Sequence, residues 1–199
     1  GAALNTGWNY IDENWYYFDP DCTMKKDELC RIGNDLYYFR SWGAMQYNAW
    51  YQNPSDGNWY YLRSWGGALN TGWNYIDQNW YYFNSDCTMK KNEFCWLNGN
   101  LYYFRDWGAR MHSGWYHDTA AGNWYLFDRE GRAYRNQKVR NGVDTYYFND
   151  DGTMYRGWKE EGGKTYYYRD WGGMVYSMTI TIDGVPCTFN FKGELVRRG

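Results

Sequence analysis

Apolar and polar positions follow a short, recurring pattern along this chain. A block of three large apolar residues, first seen as Tyr16-Tyr17-Phe18, returns as Tyr37-Tyr38-Phe39, Tyr60-Tyr61-Leu62, Tyr81-Tyr82-Phe83 and Tyr102-Tyr103-Phe104. It continues as Tyr125-Leu126-Phe127, Tyr146-Tyr147-Phe148, Tyr166-Tyr167-Tyr168 and a degenerate Phe189-Asn190-Phe191. Successive blocks are 20 to 23 residues apart. A fixed period of that length is the signature of a repeat architecture. No apolar stripe with a 3.6-residue spacing persists and Gly interrupts every unit, which argues against helices.

Each unit predicts two short strands joined by a polar turn. Trp8 lies eight residues before Tyr16, and Leu29, Trp73, Phe94, Lys138 and Trp158 hold the same place in later units. Trp50 and Trp115 lie ten residues before their blocks, which fits a turn two residues longer. The turn chemistry falls between the two Trp positions, at Asn9 to Asn14 and at Asn53 to Asn58. Asn and Gly tolerate positive φ there, and Pro54 pre-sets φ. Alternation along the second strand places Trp15 and Tyr17 on one face, Tyr16 and Phe18 on the other. A lone hairpin of this size is unstable, so the units must stack and share an aromatic core. The fold class is therefore all-β, a solenoid of about nine stacked β-hairpins.

A longer period overlies the short one. Leu4 to Tyr60 matches Leu69 to Tyr125 at a constant offset of 65, and the stretch Leu4 to Asp12 recurs unchanged as Leu69 to Asp77. The expected organisation is a single array over 1–199, with 1–66 and 67–131 as a duplication of three units and 132–199 as divergent final units.

Composition changes this picture in one respect. Trp, Tyr and Phe number 14, 24 and 9, whereas Leu, Ile and Val together number only 19, so the core must be built from rings. Net charge is -2 with no Lys/Arg block, which removes the electrostatic basis for nucleic-acid binding. No apolar run reaches the roughly 18 residues of a membrane span. The sequence opens directly in patterned residues, so an export signal, if the natural protein has one, lies outside it.

The pattern Gly7-Trp8, Trp15-Tyr16-Tyr17-Phe18, Cys22-Thr23-Met24 resembles the cell-wall-binding repeats of Gram-positive surface proteins. These include choline-binding modules, glucan-binding repeats of glucosyltransferases and receptor-binding repeats of clostridial toxins. The resemblance covers essentially the whole chain. It implies a hairpin solenoid, usually left-handed, that is extracellular and holds a protein on the bacterial cell wall. The implied partner is a cell-surface polymer, choline-bearing teichoic acid or a glucan-type glycan. In choline-binding members a site uses the Trp of the first strand, the Trp opening the second, and an aromatic from the next unit. Carried over, this implies four complete sites: Trp8, Trp15 and Tyr38; Trp50, Trp59 and Tyr82; Trp73, Trp80 and Tyr103; Trp115, Trp124 and Tyr147. Leu29 with Leu36, Phe94 with Leu101, and Lys138 with Thr145 replace both Trp elsewhere, and Trp158 has lost its partner. Quaternary ammonium groups favour the electron-rich face of such rings, and sugars stack on them through C–H bonds.

Several features depart from that pattern. Arg40-Ser41-Trp42-Gly43, Arg63-Ser64-Trp65-Gly66, Arg105-Asp106-Trp107-Gly108 and Arg169-Asp170-Trp171-Gly172 each add a Trp in a turn. That Trp either caps the core, stacked on its Arg, or supplies a second binding surface, in which case a glycan is favoured. Cys22 and Cys30 are eight residues apart, and Cys87 and Cys95 repeat the spacing at offset 65. Two local disulfides, which an extracellular setting permits, compete with four small buried thiols. A metal site is not expected, since the Cys spacing is wrong for zinc and no His is near. The only His residues, His112 and His117, read as surface or cage-rim groups. No nucleophile, Walker or zinc-protease motif occurs, and the carboxylates sit in turns, so neither catalytic residues nor a cofactor are expected. The remaining rival is a structural spacer or adhesion solenoid whose aromatics are all core.

Overall fold

The computed structural model describes residues 6–199. Leu4 and Asn5, which open the duplicated stretch, lie outside the described residues. Among the described residues there is no helix, and the strands form antiparallel hairpins at 7–18, 28–39, 49–62, 72–83, 93–104, 114–127, 137–148, 157–168 and 178–189. A final strand, Leu195–Arg198, adds to the last hairpin. The architecture is an all-β stack of hairpin repeats.

The turns are tighter than the sequence suggested. In the first hairpin Ile11 faces Asn14, so only Asp12 and Glu13 turn, at φ +46° and +62°. Two successive left-handed residues make a type I′ turn, whose twist matches that of the paired strands. Asn9, Tyr10 and Ile11 therefore belong to the strand. The third hairpin has the longer connection that the spacing predicted, because Gln52 faces Trp59 across Asn53 to Asn58.

After each block the chain turns back, and one residue pairs with the last residue of the block: Phe18 with Met24, Phe39 with Met45, Phe83 with Met89 and Phe148 with Met154. That returning residue also reaches the preceding hairpin. Met45 N–H donates to the Trp15 carbonyl at 2.7 Å, and Met89 to Trp59 at 2.9 Å. Met154 to Trp124 and Met174 to Thr145 repeat the bond at 2.8 Å. Neighbouring hairpins thus share no continuous ladder; one backbone bond and side-chain packing join them. The core is built from the third residue of each block. Phe39, Phe83, Phe104, Phe127, Phe148, Tyr168 and Phe189 are all fully buried.

The ninth block is offset from its sequence reading. Met178 pairs with Phe189 as Gly157 pairs with Tyr168, so Phe189 is the third residue of the block, not its first. Cys187 takes the place of the first tyrosine, and Phe191 is 76% exposed in the following turn.

The five cysteines are free thiols, which corrects the disulfide expectation for Cys22, Cys30, Cys87 and Cys95. The reason lies in where the side chains go. Cys87 packs from its turn onto Leu36, Tyr60, Leu62 and Ala68. Gly152 stands in the corresponding turn, where an added Cβ would meet Leu101, Ala133 and Tyr125, the same three neighbours at offset 65. Cys87 therefore fills a core gap with a small apolar group. Cys22 sits at φ +67° in its turn and is exposed, whereas Cys30 packs against Tyr37, Phe39 and Met45. Burial pushes the Cys30 thiol up to about 11, with Glu28 adding to the effect.

The chain divides into two compact units. The first comprises Gly1–Glu93 with Phe104–Arg110, and the second Phe94–Tyr103 with Met111–Gly199.

Candidate aromatic binding sites

Each site begins with the pairing of one hairpin. Trp8 faces Tyr17 and Trp15 faces Tyr10 across the first hairpin, so all four rings project from one face. Trp8 and Trp15 meet edge to face at 6.2 Å and 86°. Trp50 with Trp59 and Trp115 with Trp124 repeat this at 6.4 Å and 6.2 Å. The next hairpin then contributes a tyrosine. Tyr37 lies 4.9 Å from Trp8, Tyr81 lies 4.9 Å from Trp50, and Tyr146 lies 4.8 Å from Trp115.

That tyrosine is the first of its block, whereas the sequence reading chose the second. Strand alternation explains the difference. Tyr38 is the cross-strand partner of Leu29 and so points away from Trp8; it stacks on Tyr51 at 3.7 Å. Tyr82 is the cross-strand partner of Trp73, at 5.3 Å. Tyr103 lies against Tyr116 at 3.9 Å with the rings tilted by 33°, and Tyr147 donates its hydroxyl to Asn136 at 2.8 Å. A one-residue error of phase moves every side chain to the opposite face.

Two further residues complete each site. The returning Met of the second hairpin, held by its bond to the second-strand Trp, forms the floor. The Trp of Arg-x-Trp-Gly, one hairpin further on, closes the top: Trp65 lies 6.0 Å from Tyr37, Trp107 6.3 Å from Tyr81 and Trp171 6.2 Å from Tyr146. Three hollows result. Trp8, Trp15, Tyr37, Met45 and Trp65 line one of about 270 Å³. Trp115, Trp124, Tyr146, Met154 and Trp171 line another of about 270 Å³. Trp50, Trp59, Tyr81, Met89 and Trp107, with Asp106, line one of about 370 Å³.

Glycines make the closure possible. At Gly66, φ +95°, an added Cβ would lie 2.2 Å from the Met45 sulfur; Gly108 and Gly172 stand in the same relation to Met89 and Met154. The lid Trp65 and Trp171 rings lie over Gly67 and Gly173, where a Cβ would be 2.0 Å from the ring. Ala109 occupies that place after Trp107, and the hollow under Trp107 is the larger one.

The electrostatics are those of neutral rings. Burial, aided by Asp35, Asp77 and Asp144 respectively, raises the phenols of Tyr37, Tyr81 and Tyr146 above their ordinary range, so they stay protonated. Arg63, Arg105 and Arg169 lie over Trp65, Trp107 and Trp171 at 5.4, 5.8 and 5.7 Å, and none of them lines a hollow. In three of the four Arg-x-Trp-Gly turns the Trp both stacks on its Arg and roofs a hollow, whereas Trp42 stacks on Arg40 at 5.2 Å and lines none of the three. His117 stacks on Trp124 at 4.3 Å, on a wall of the third hollow. A reading in which every aromatic is core does not fit Trp15 and Trp65, which are 42% and 48% exposed.

The Met floor and the Trp lid were absent from the sequence-derived sets. Their signals were present as Met45, Met89 and Met154 after each block and as the recurring Arg-x-Trp-Gly. The third expected set fares differently: Trp73 and Trp80 meet at 6.4 Å, but Arg110 stands where Met45 and Met89 stand in the other sites.

Comparison with known proteins places these features among relatives. A choline-binding repeat model matches residues 5–39 and 70–115, and a putative cell wall binding repeat model matches 48–68, 113–133, 144–154 and 157–174. Glucosyltransferase-S of Streptococcus mutans is 29% identical over 92% of this chain and 12% of its own length. Among solved structures, the modular autolysin LytC of Streptococcus pneumoniae is 28% identical at a TM-score of 0.75, covering 96% of this chain and 42% of its own. Choline binding protein F of the same organism is 29% identical at a TM-score of 0.67, covering 97% of this chain and 58% of its own. The chain thus spans between about one eighth and three fifths of these relatives.

Proposed function

The chain belongs to the family of choline-binding and cell-wall-binding repeats, and from that premise we propose that its three aromatic hollows each hold the quaternary ammonium group of choline carried on a cell-wall polymer. The repeats make up a cell-wall-binding module of a cell-surface or secreted protein. The module itself is non-catalytic, and any catalysis by the whole protein resides in other parts of it.

The lining of the hollows carries the ligand assignment. Two of them are enclosed by three Trp or Tyr walls, a Trp lid and a Met floor, with no charged or amide side chain. A trimethylammonium group offers no hydrogen-bond donor and needs none in return, and it is attracted to ring faces by ~0.5–2 kcal/mol per contact. A sugar ring would find few side-chain hydrogen-bond partners against such walls, whereas the ammonium group needs none. Asp106 at the rim of the largest hollow further favours a cation. Once the loss of ligand freedom is counted, a few cation–π contacts correspond to a Kd in about the millimolar range. Weak individual sites are sufficient on a polymer, because linked sites gain roughly 10²–10⁴ in avidity.

Titration calorimetry with choline, 3,3-dimethylbutanol and soluble glucan tests the reading. The alcohol has the shape of choline without its charge. Saturable choline binding with a much weaker alcohol response is expected. Binding of glucan alone, or equal binding of choline and the alcohol, refutes it.

A further inference from the structure

The Trp73–Trp80 pair differs from the other three at its floor. Trp73 and Trp80 retain the edge-to-face geometry of the other pairs. At its floor, however, Arg110 N–H donates to the Trp80 carbonyl at 2.8 Å, the bond that Met45, Met89 and Met154 make to Trp15, Trp59 and Trp124. From that anchor the Arg110 guanidinium lies over the Trp73 ring at 5.6 Å. We propose that Arg110 is a built-in cation that occupies the aromatic surface of the Trp73–Trp80 pair, so that this pair takes no exogenous quaternary ammonium group. This rests on the cation reading of the three open hollows.

Two other steps that lack a complete box follow the same logic. Lys138 stands where the first-strand Trp stands elsewhere, and its ammonium lies 3.5 Å from the centre of the Tyr166 ring, the counterpart of Tyr37. Glu161 pairs with that ammonium at 2.6 Å. Trp158, which has Thr165 in place of a second Trp, is covered by Arg198 at 4.9 Å. The chain thus fills these ring surfaces with its own charges, three times, by three different residues. The tether gives the chain's own cation an advantage over a free one. A cation held by a short tether presents an effective concentration of millimolar or more. A free ligand whose own affinity is about millimolar must compete with that local cation, so its apparent affinity at this pair falls below that at the open hollows.

The experiment is choline calorimetry on the wild-type chain and on Arg110→Met, Arg110→Lys and Trp73→Ala. The wild type is expected to bind three cholines. Arg110→Met restores the Met floor and adds a fourth, weaker binding event, weaker because Glu130 stands where Trp65 roofs the first hollow, whereas Arg110→Lys keeps a cation there and leaves three. Trp73→Ala in the wild-type background also leaves three, and does not depend on how well Arg110→Met folds. A wild-type stoichiometry of four, a loss of one site in Trp73→Ala, or no added binding event in an Arg110→Met chain with an unaltered near-ultraviolet spectrum would overturn the proposal. The absence of any choline binding in the wild type would overturn the cation reading of the open hollows, and this inference with it.

Discussion

Gly66 shows how much of a site hangs on a single Cβ. It lies between the lid Trp65 and the returning chain, at φ +95° and against the sulfur of Met45. An L side chain in that conformation costs roughly 1–2 kcal/mol. The thioether can move aside, but it is the floor of the first hollow and would leave its place. Gly66→Ala is therefore expected to lower stability by about 1–2 kcal/mol in urea unfolding and to weaken binding at one hollow only. Equal affinity at all sites in the variant would show that the floor position is not critical. Gly67 has a subtler role. Its missing Cβ lets Trp65 settle downward, and Ala109 in the corresponding place goes with a hollow about 100 Å³ larger, 370 against 270.

At the scale of the hairpin, core and binding surface share the same interface between successive hairpins. Phe83 is fully buried and packs with Ile76, Tyr81, Met89 and Ala109, whereas Trp59, on the second strand of the preceding hairpin, is only partly buried against that cluster and lines the hollow. Phe83→Ala is expected to cost about 3–5 kcal/mol, the usual price of an emptied aromatic core position. Trp59→Ala should leave the unfolding midpoint within a few degrees and remove one bound choline. A large stability loss in Trp59→Ala would place that ring in the core after all. The hairpins themselves were legible in the sequence, because a block such as Tyr81-Tyr82-Phe83 flanked by Asn and Gly has few other readings. The strand phase was not. Whether Tyr37 or Tyr38 faces the preceding hairpin depends on a two-residue turn at Asp12-Glu13 and its counterparts, and the residue types Asp and Glu do not announce a left-handed pair. The lid was equally hidden, since Trp65 is 57 residues from Trp8 and belongs to the third hairpin of the site. Cys87 misled because its spacing to Cys95 looks like a bridge, while its side chain serves as packing.

The whole molecule inherits a pH limit from its phenols. Burial raises Tyr37, Tyr60, Tyr81, Tyr125 and Tyr146, and pushes Tyr51 up to about 12 with Tyr38 and Asp27 contributing. These groups ionise more easily unfolded than folded, so their contribution to stability is complete below about pH 10 and is lost as pH rises through the folded values. A spectrophotometric titration at 295 nm should show exposed phenols titrating first and the rest appearing together with unfolding. A single transition near pH 10 with the fold intact would contradict the buried assignment.

The three-hairpin composition of each hollow has a mechanical consequence. Trp8 and Trp15, Tyr37 and Met45, and Trp65 come from consecutive hairpins that are otherwise joined by ring packing and one backbone bond per step. A guest seated among them grips all three at once and acts as a removable rivet. Load applied to a tethered protein, by flow or by the growing wall, would otherwise peel one hairpin from the next. With the rivet in place, separating any of the three also breaks its contacts to the guest, so attachment adds to the resistance of those hairpins.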